Sequence, residues 1–485
     1  MLAEPAPPPR PPSGPGPSPA STPYTYWWKL LPALLTLAAL TRVPSFLHPL
    51  WNPDEGFLAV QAGQLAAGGE LYDTVVDRKP PLVPWLYEAA LGLFGDRSLL
   101  PLKVLAILAL FATAALLASL ARRRWGDRSG AVAGVAFLLV SVGLHPEDTQ
   151  AASFGLFTLP FTALAVWCAD RRAWAWAGAA VAGAFLTKQT GGAVLLPVLW
   201  LAWTAPKRTR ALLCTLAGFA VPVAAAALLT DPSRFLFWVV TGSGTYADLT
   251  GSGLHALGRG LGNAAVLAAA CLGLLVPLLR RPKTPTTDLW LWLAASALAV
   301  MTGFHFFGHY YLQLMPPLTL LGTAALHALP RRWTTGALTA LACTCVIFLT
   351  WGFLAPRPEL THAQRVADAI RARTTPTDPV LIWGMHPETY WLADRTPASR
   401  YLTAGLLTNF SGGRNGSLVG EQYGVEGSWP VLRAELAEKR PPLIVDDSRG
   451  KPYGPERMPT LRRLLAEEYE RVATVDGAVL YARSR

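Results

Sequence analysis

Charge is scarce in this chain. Only 15% of its 485 residues are charged, against roughly a quarter in ordinary soluble domains. With 52% hydrophobic residues and a mean hydropathy of +0.31, that shortage excludes a soluble globular protein and leaves an integral membrane protein. Acids are scarcer than bases, 31 against 42. The surplus positive charge is nevertheless not gathered on one face or tail, which argues against a nucleic-acid partner. Cysteine is nearly missing. Cys168, Cys214, Cys271, Cys343 and Cys345 lie in or at apolar runs, with no metal-ligand spacing and no disulfide framework, so they read as small buried hydrophobes.

What is present is a series of apolar runs from Leu30 to about Leu354, each near the ~20 residues that cross a bilayer. Eleven spans are predicted, near 29–48, 99–120, 130–145, 152–169, 173–187, 190–205, 211–229, 262–279, 288–304, 311–328 and 334–354. Basic clusters punctuate the gaps: Arg122 to Arg124 with Arg128, Arg171-Arg172, Lys207-Arg208-Arg210, Arg280-Arg281-Lys283 and Arg331-Arg332. By the positive-inside rule they are cytoplasmic, which puts the N-terminus inside and the C-terminus outside a multi-pass cell membrane protein. Carboxylates give an independent check, since eleven of the fifteen before residue 357 fall on the outer side. Any chemistry is therefore expected on the outside.

Three parts are expected. Residues 1–26 form a disordered cytoplasmic tail, with ten prolines in the first 23 positions. Residues 27–356 form the membrane module, with outer juxtamembrane helices at 55–68 and 80–94. Residues 357–485 form a small extracytoplasmic α/β domain: HAQRVADAIRAR, the segment after Pro430 and MPTLRRLLAEEY read as helices, PVLIWG and PLIVDD as strands, and RVATV with AVLYA as a closing pair. It carries no phosphate-binding glycine motif.

Five outer-face constellations could carry chemistry. Asp54-Glu55 in NPDEGF offers a base, although capping of a helix N-terminus competes as an explanation. Asp77-Arg78-Lys79 offers cations for a phosphate, with snorkelling to lipid headgroups as the alternative. Glu147-Asp148 in HPEDTQ is a second acidic pair on the same side. Lys188-Gln189 stands between apolar runs, where an ammonium is costly and an ordinary turn is the competing reading. In GFHFFGHYYLQL, an aromatic belt explains the tyrosines but not His305, His309 and Gln313, and Tyr310 lies among them. Arg42 is a further anion contact or a snorkelling side chain.

Five stretches together resemble the bacterial branch of the GT-C glycosyltransferase superfamily, in particular the protein O-mannosyltransferase-like group of family 39 with its aminoarabinose and rhizobial galacturonosyl transferase relatives. They are NPDEGFLAVQAGQLAAGGELYD, DRKPPLVPWLYEAALGLFG, HPEDTQ, FLTKQTGGAVLLP and FGHYYLQLMPPLTLL. The resemblance implies an α-helical polytopic GT-C fold. It implies an inverting enzyme that moves a sugar from a polyprenyl-phosphate donor to a hydroxyl on a protein, lipid or envelope glycan outside the cytoplasmic membrane. Asp54 would be the general base with Glu55 beside it, and Glu147 or Asp148 the second acidic motif. Lys79, with Arg78, Lys188 and Arg42, would face the donor phosphate, and Gln189, His305, His309, Tyr310 and Gln313 the substrate. A divalent metal, Mg or Mn, stays open; Asp54, Glu147 and Asp148 would hold it. Two rivals from other classes remain, a transporter or flippase of lipid-linked envelope precursors and a non-catalytic membrane scaffold. Against the first, the ionisable residues cluster at one face rather than in mid-span.

Overall fold

The computed structural model describes residues 23–242, 253–280, 285–410 and 416–484. The tail expected to be unfolded lies outside the described residues up to position 22, and its end differs from expectation, because Pro23 already starts α1 (Pro23–Thr41). Helices α2 (Pro53–Ala66) and α3 (Leu82–Phe94) occupy the stretch between the first two apolar runs, as the apolar spacing predicts. Then come α4 (Leu100–Trp125), α5 (Asp127–Val140), the single turn α6 (Pro146–Thr149), α7 (Phe154–Asp170), α8 (Trp174–Thr187), α9 (Leu195–Trp203) and α10 (Arg208–Leu229). Beyond them helices run over Gly253–Ala270, Leu272–Leu278, Thr287–Met301, Met315–His327 and Arg331–Leu354.

Each of the eleven predicted windows holds helix, but the windows are not eleven uniform rods. Among the described residues four helices are long and apolar enough to cross a membrane: Leu100–Trp125, Arg208–Leu229, Thr287–Phe304 and the one starting at Arg331. The window 262–279 is two helices bent by 84° at Cys271, so it is not one straight span. Others are shorter and end in 3-10 turns, at Gln189–Val194 and Gly308–Leu314. These breaks carry Lys188, His305 and His309. Irregular backbone among packed apolar helices needs protein or a water-filled space to satisfy its polar groups, so the breaks point to a cavity.

The C-terminal part holds a four-stranded sheet ordered β1-β2-β4-β3. Strand β1 (Val380–Trp383) runs parallel to β2 (Leu443–Asp446), Val380 opposite Leu443, and the crossover carries the helix Ser428–Lys439. The closing pair, β3 (Tyr469–Val475) and β4 (Ala478–Arg483), is a hairpin over Asp476-Gly477. Both turn residues have positive φ, 48° and 86°, as the tight turns matching strand twist require. Val366, Ala367 and Ile370 of the helix Pro358–Arg371 bury against Val380, Ile382, Val445 and Leu480, each large side chain contributing roughly 2 kcal/mol.

This unit is fastened to α2 and the loops around it. A Cβ on Gly56 of α2 would collide with Glu388, so only glycine permits the approach. Trp391 donates to the Asp96 carbonyl at 3.1 Å, Arg400 to that of Asp73 at 2.8 Å, and Arg357 to that of Trp51.

Candidate active site

In NPDE the cap is Asn52, whose side chain accepts the Glu55 amide at 3.2 Å, with Pro53 in the first helical turn. Capping therefore does not account for Asp54. It lines a cavity of about 600 Å³ where one end of the helix bundle meets the C-terminal unit.

Of the residues singled out from sequence, Asp54, Arg78, Lys79, Glu147, Asp148 and Lys188 all border this cavity. So do Gln189, His305, His309 and Tyr310. Three do not: Glu55, Arg42 and Gln313 are absent from its wall. Glu55 is fully buried, with one oxygen on the Trp51 amide and the other on that of Ala152 at 2.7 Å. Burial lifts its carboxyl, and the two amides, Lys103 and Arg42 pull it back. Arg42, also fully buried, donates to the carbonyls of Thr149 and Gln150. It holds the acidic turn α6 from behind, with the buried Glu55 as its charge partner, rather than facing the cavity.

The second acidic pair splits. Asp148 is 17% exposed and accepts from the His309 amide at 2.8 Å, with the His309 ring at 3.2 Å. Glu147 is 58% exposed, its nearest cation Arg357 at 3.9 Å. Asp148 is thus the oriented carboxylate and Glu147 the solvated one.

The cations are set in apolar surroundings. Lys188 Nζ stands 3.9 Å above the Tyr310 ring, and Lys79 Nζ 5.8 Å from that of Phe154. Burial, then Lys79, push the Lys188 ammonium well below the usual lysine range; Asp54 and Asp148 draw it back. Burial also raises the Asp77 carboxyl to about 6, against the pull of Lys79. Gln189 donates to the carbonyls of Arg78 and Val239, at 2.5 and 3.3 Å, and so fixes the loop that carries Lys79. Phe304 and Phe306 flank His305 at φ 51° and 48°, left-handed strain of the kind concentrated at functional sites.

Sequence reading missed part of the wall. Met385, Pro387, Thr403, Leu406 and Phe410 come from the C-terminal unit, and no local pattern marks them. Arg357 lies outside that wall, its guanidinium 4.5 Å from the Trp51 ring and its Nε 3.9 Å from Glu147; it is the first cation after the last apolar run, a signal that was available. Among the described residues no three His, Cys, Asp or Glu side chains converge to hold a metal ion. Asp54, Glu147 and Asp148 do not form such a group, and no step below is routed through a metal.

The family described as dolichyl-phosphate-mannose-protein mannosyltransferase matches residues 78–232, from Arg78 through α10. No curated protein sequence matches the chain. The crystal structure of ArnT from Cupriavidus metallidurans bound to undecaprenyl phosphate superposes with a TM-score of 0.63 at 16% identity, covering 95% of this chain and 98% of that one. The chain has the GT-C fold. The apo form of that ArnT gives a TM-score of 0.58 over the same shares at 16% identity. The Archaeoglobus fulgidus oligosaccharyltransferase in complex with Zn and sulfate gives 0.50 at 11% identity, over 94% of this chain and 73% of that one. The agreement with ArnT runs through both membrane helices and sheet, so the α/β unit is part of this GT-C architecture.

Proposed function

We propose that the protein is an inverting glycosyltransferase that takes a sugar from a polyprenyl-phosphate donor and passes it to an acceptor hydroxyl at the outer side of the cytoplasmic membrane. The observation that carries this reading is the meeting of Asp54 and Asp148 with Lys79 and Lys188 on one cavity at the helix ends. The ArnT it resembles was solved with undecaprenyl phosphate, which favours that donor class. Domain limits of 27–356 and 357–485, a cytoplasmic N-terminus and an extracytoplasmic sheet belong to the same proposal.

In this mechanism Asp54 takes the acceptor proton as its oxygen attacks the anomeric carbon. The bond from that carbon to the phosphate oxygen breaks, and the phosphate leaves with the electron pair. Lys79 and Lys188 stabilise the charge that grows on it. Asp148, fixed on the His309 amide, orients the sugar or acceptor hydroxyls. Catalysis is then mainly positioning plus electrostatics. The apolar wall from Met385 to Phe410 faces the acceptor, whether protein, lipid or envelope glycan.

The test is incubation of purified protein with polyprenyl-phosphate sugars and an acceptor, with measurement of free lipid phosphate. Release is expected; a transporter would move donor without cleaving it, and persistent absence of release across donors would reject the proposal. Within the site, a Cβ on Gly308 would collide with the Asp148 carboxylate. Gly308→Ala is therefore expected to slow release by about a hundredfold through displacement alone, whereas Glu147→Gln, at a solvated position, changes it little.

A further inference from the structure

A second cleft lies at the opposite end of the bundle. Helix α8 starts at Trp174 and ends beside Lys188 in the main cavity; its 14 residues put roughly 20 Å between its ends. At the Trp174 end, the turn before α8 and the start of α10 enclose a space of about 400 Å³ lined by Arg172, Trp174, Lys207, Arg210 and Cys214. Among the described residues no carboxylate lines it. The neighbouring acids are already engaged: Asp170 pairs with Arg123 and Arg124, and Asp288 with Arg124. Arg172, Lys207 and Arg210 are thus three cations around one cleft with no acid facing them.

The cleft is built rather than incidental. Gly178 of α8 and Gly218 of α10 each approach the other helix so closely that a Cβ would collide with its backbone, at Thr215 and Ala175. Small residues at such positions let helices touch in a membrane. The two backbones are therefore in contact one turn above the cleft and diverge below it, where Pro206 and Lys207 lead into α10. Close in sequence to the cleft's lining residues stand large exposed apolar side chains: Trp176 is 74% exposed, Trp203 56% and Leu213 63%. Arg208 lies 5.0 Å from the Trp203 ring.

A cationic pocket opening beside exposed tryptophans and leucine suits a ligand with an anionic head and apolar chains. We propose that this cleft binds the phosphate headgroup of an anionic phospholipid, separately from the donor site at the other end of α8. Positive clusters next to spans attract anionic lipids in general; the enclosed cleft adds a defined position. The proposal does not depend on which sugar or acceptor the other end serves.

Native mass spectrometry of the intact purified protein tests it, with phosphatidylglycerol, phosphatidylcholine and inorganic phosphate as separate probes. Phosphatidylglycerol is expected to bind with a first-site affinity that falls about a hundredfold in the variant Arg172→Gln, Lys207→Gln, Arg210→Gln. The variant Arg331→Gln, Arg332→Gln removes charge from the same end of the bundle without touching the cleft, and should keep that affinity. Equal phosphatidylglycerol binding by the triple variant and the unaltered protein would overturn the site. Equal losses in both variants would reduce it to diffuse surface charge, and phosphatidylcholine binding as tightly would refute headgroup recognition. Inorganic phosphate binding as tightly as the lipid would show that a soluble anion, not a phospholipid, is the ligand.

Discussion

Asp54→Asn is expected to abolish sugar transfer, with release of lipid phosphate falling by on the order of 10²–10⁴ while the protein folds normally. The substitution keeps shape and removes the basic oxygen. The fold tolerates it because the cap of α2 is Asn52, and both backbone amides that need a buried acceptor go to Glu55. Losing a negative charge in the first turn costs about 0.3–1 kcal/mol. Thermal denaturation should therefore barely move while turnover collapses. Full activity in this variant would remove Asp54 from the mechanism. The neighbouring change, Glu55→Gln, works the other way: it disturbs a buried carboxylate outside the cavity, so any lost activity should follow lost folded protein.

Lys188→Met is expected to lower release by about 10²–10³ and to make the empty protein more stable. Lys188 is 5% exposed, its ammonium seated over the Tyr310 ring, and Lys79, another site lysine, disfavours its charge. Methionine fills similar space without the charge. The pH dependence has a definite sign. Burial lowers the folded-state lysine below its unfolded value, so in the window between the two the unfolded chain binds more protons and stability rises with pH. The advantage of the Met variant should thus shrink as pH rises and fade toward ~10.4, the ordinary lysine value. Melting temperatures across that range, beside initial rates, check both halves. Loss of rate with an unchanged melting temperature at all pH values would mean that Lys188 is not held as a strained cation. An unchanged rate would remove it from the donor site.

The residues that face the cavity were largely legible, and for physical reasons. Ionisable groups at the mouths of apolar runs are costly, so Asp54, Lys79, Asp148 and Lys188 stand out without any structure. The same reasoning cannot tell a residue on the cavity wall from one just behind it. Glu55 and Arg42 carry the same signal as Asp54 and Lys79, yet they serve the backbone around the site. In the sheet, short runs of branched and aromatic residues marked the strands, although β1 and β2 are buried at every position and show no alternation. The bend at Cys271 was not legible, because an apolar run reads the same straight or bent. Nor was the wall from Met385 to Phe410, whose place depends on two distant loops meeting.

That distance has a consequence in time. Trp51, immediately before α2, and Arg357 are 306 positions apart, and Gly56 rests on Glu388. Synthesis delivers the N-terminal part first. The carboxylates and lysines are thus all in place before the chain that walls them in has been made. A growing polypeptide has the reactive groups but an open, wet site, and becomes enclosed only when its last quarter folds against its first helices.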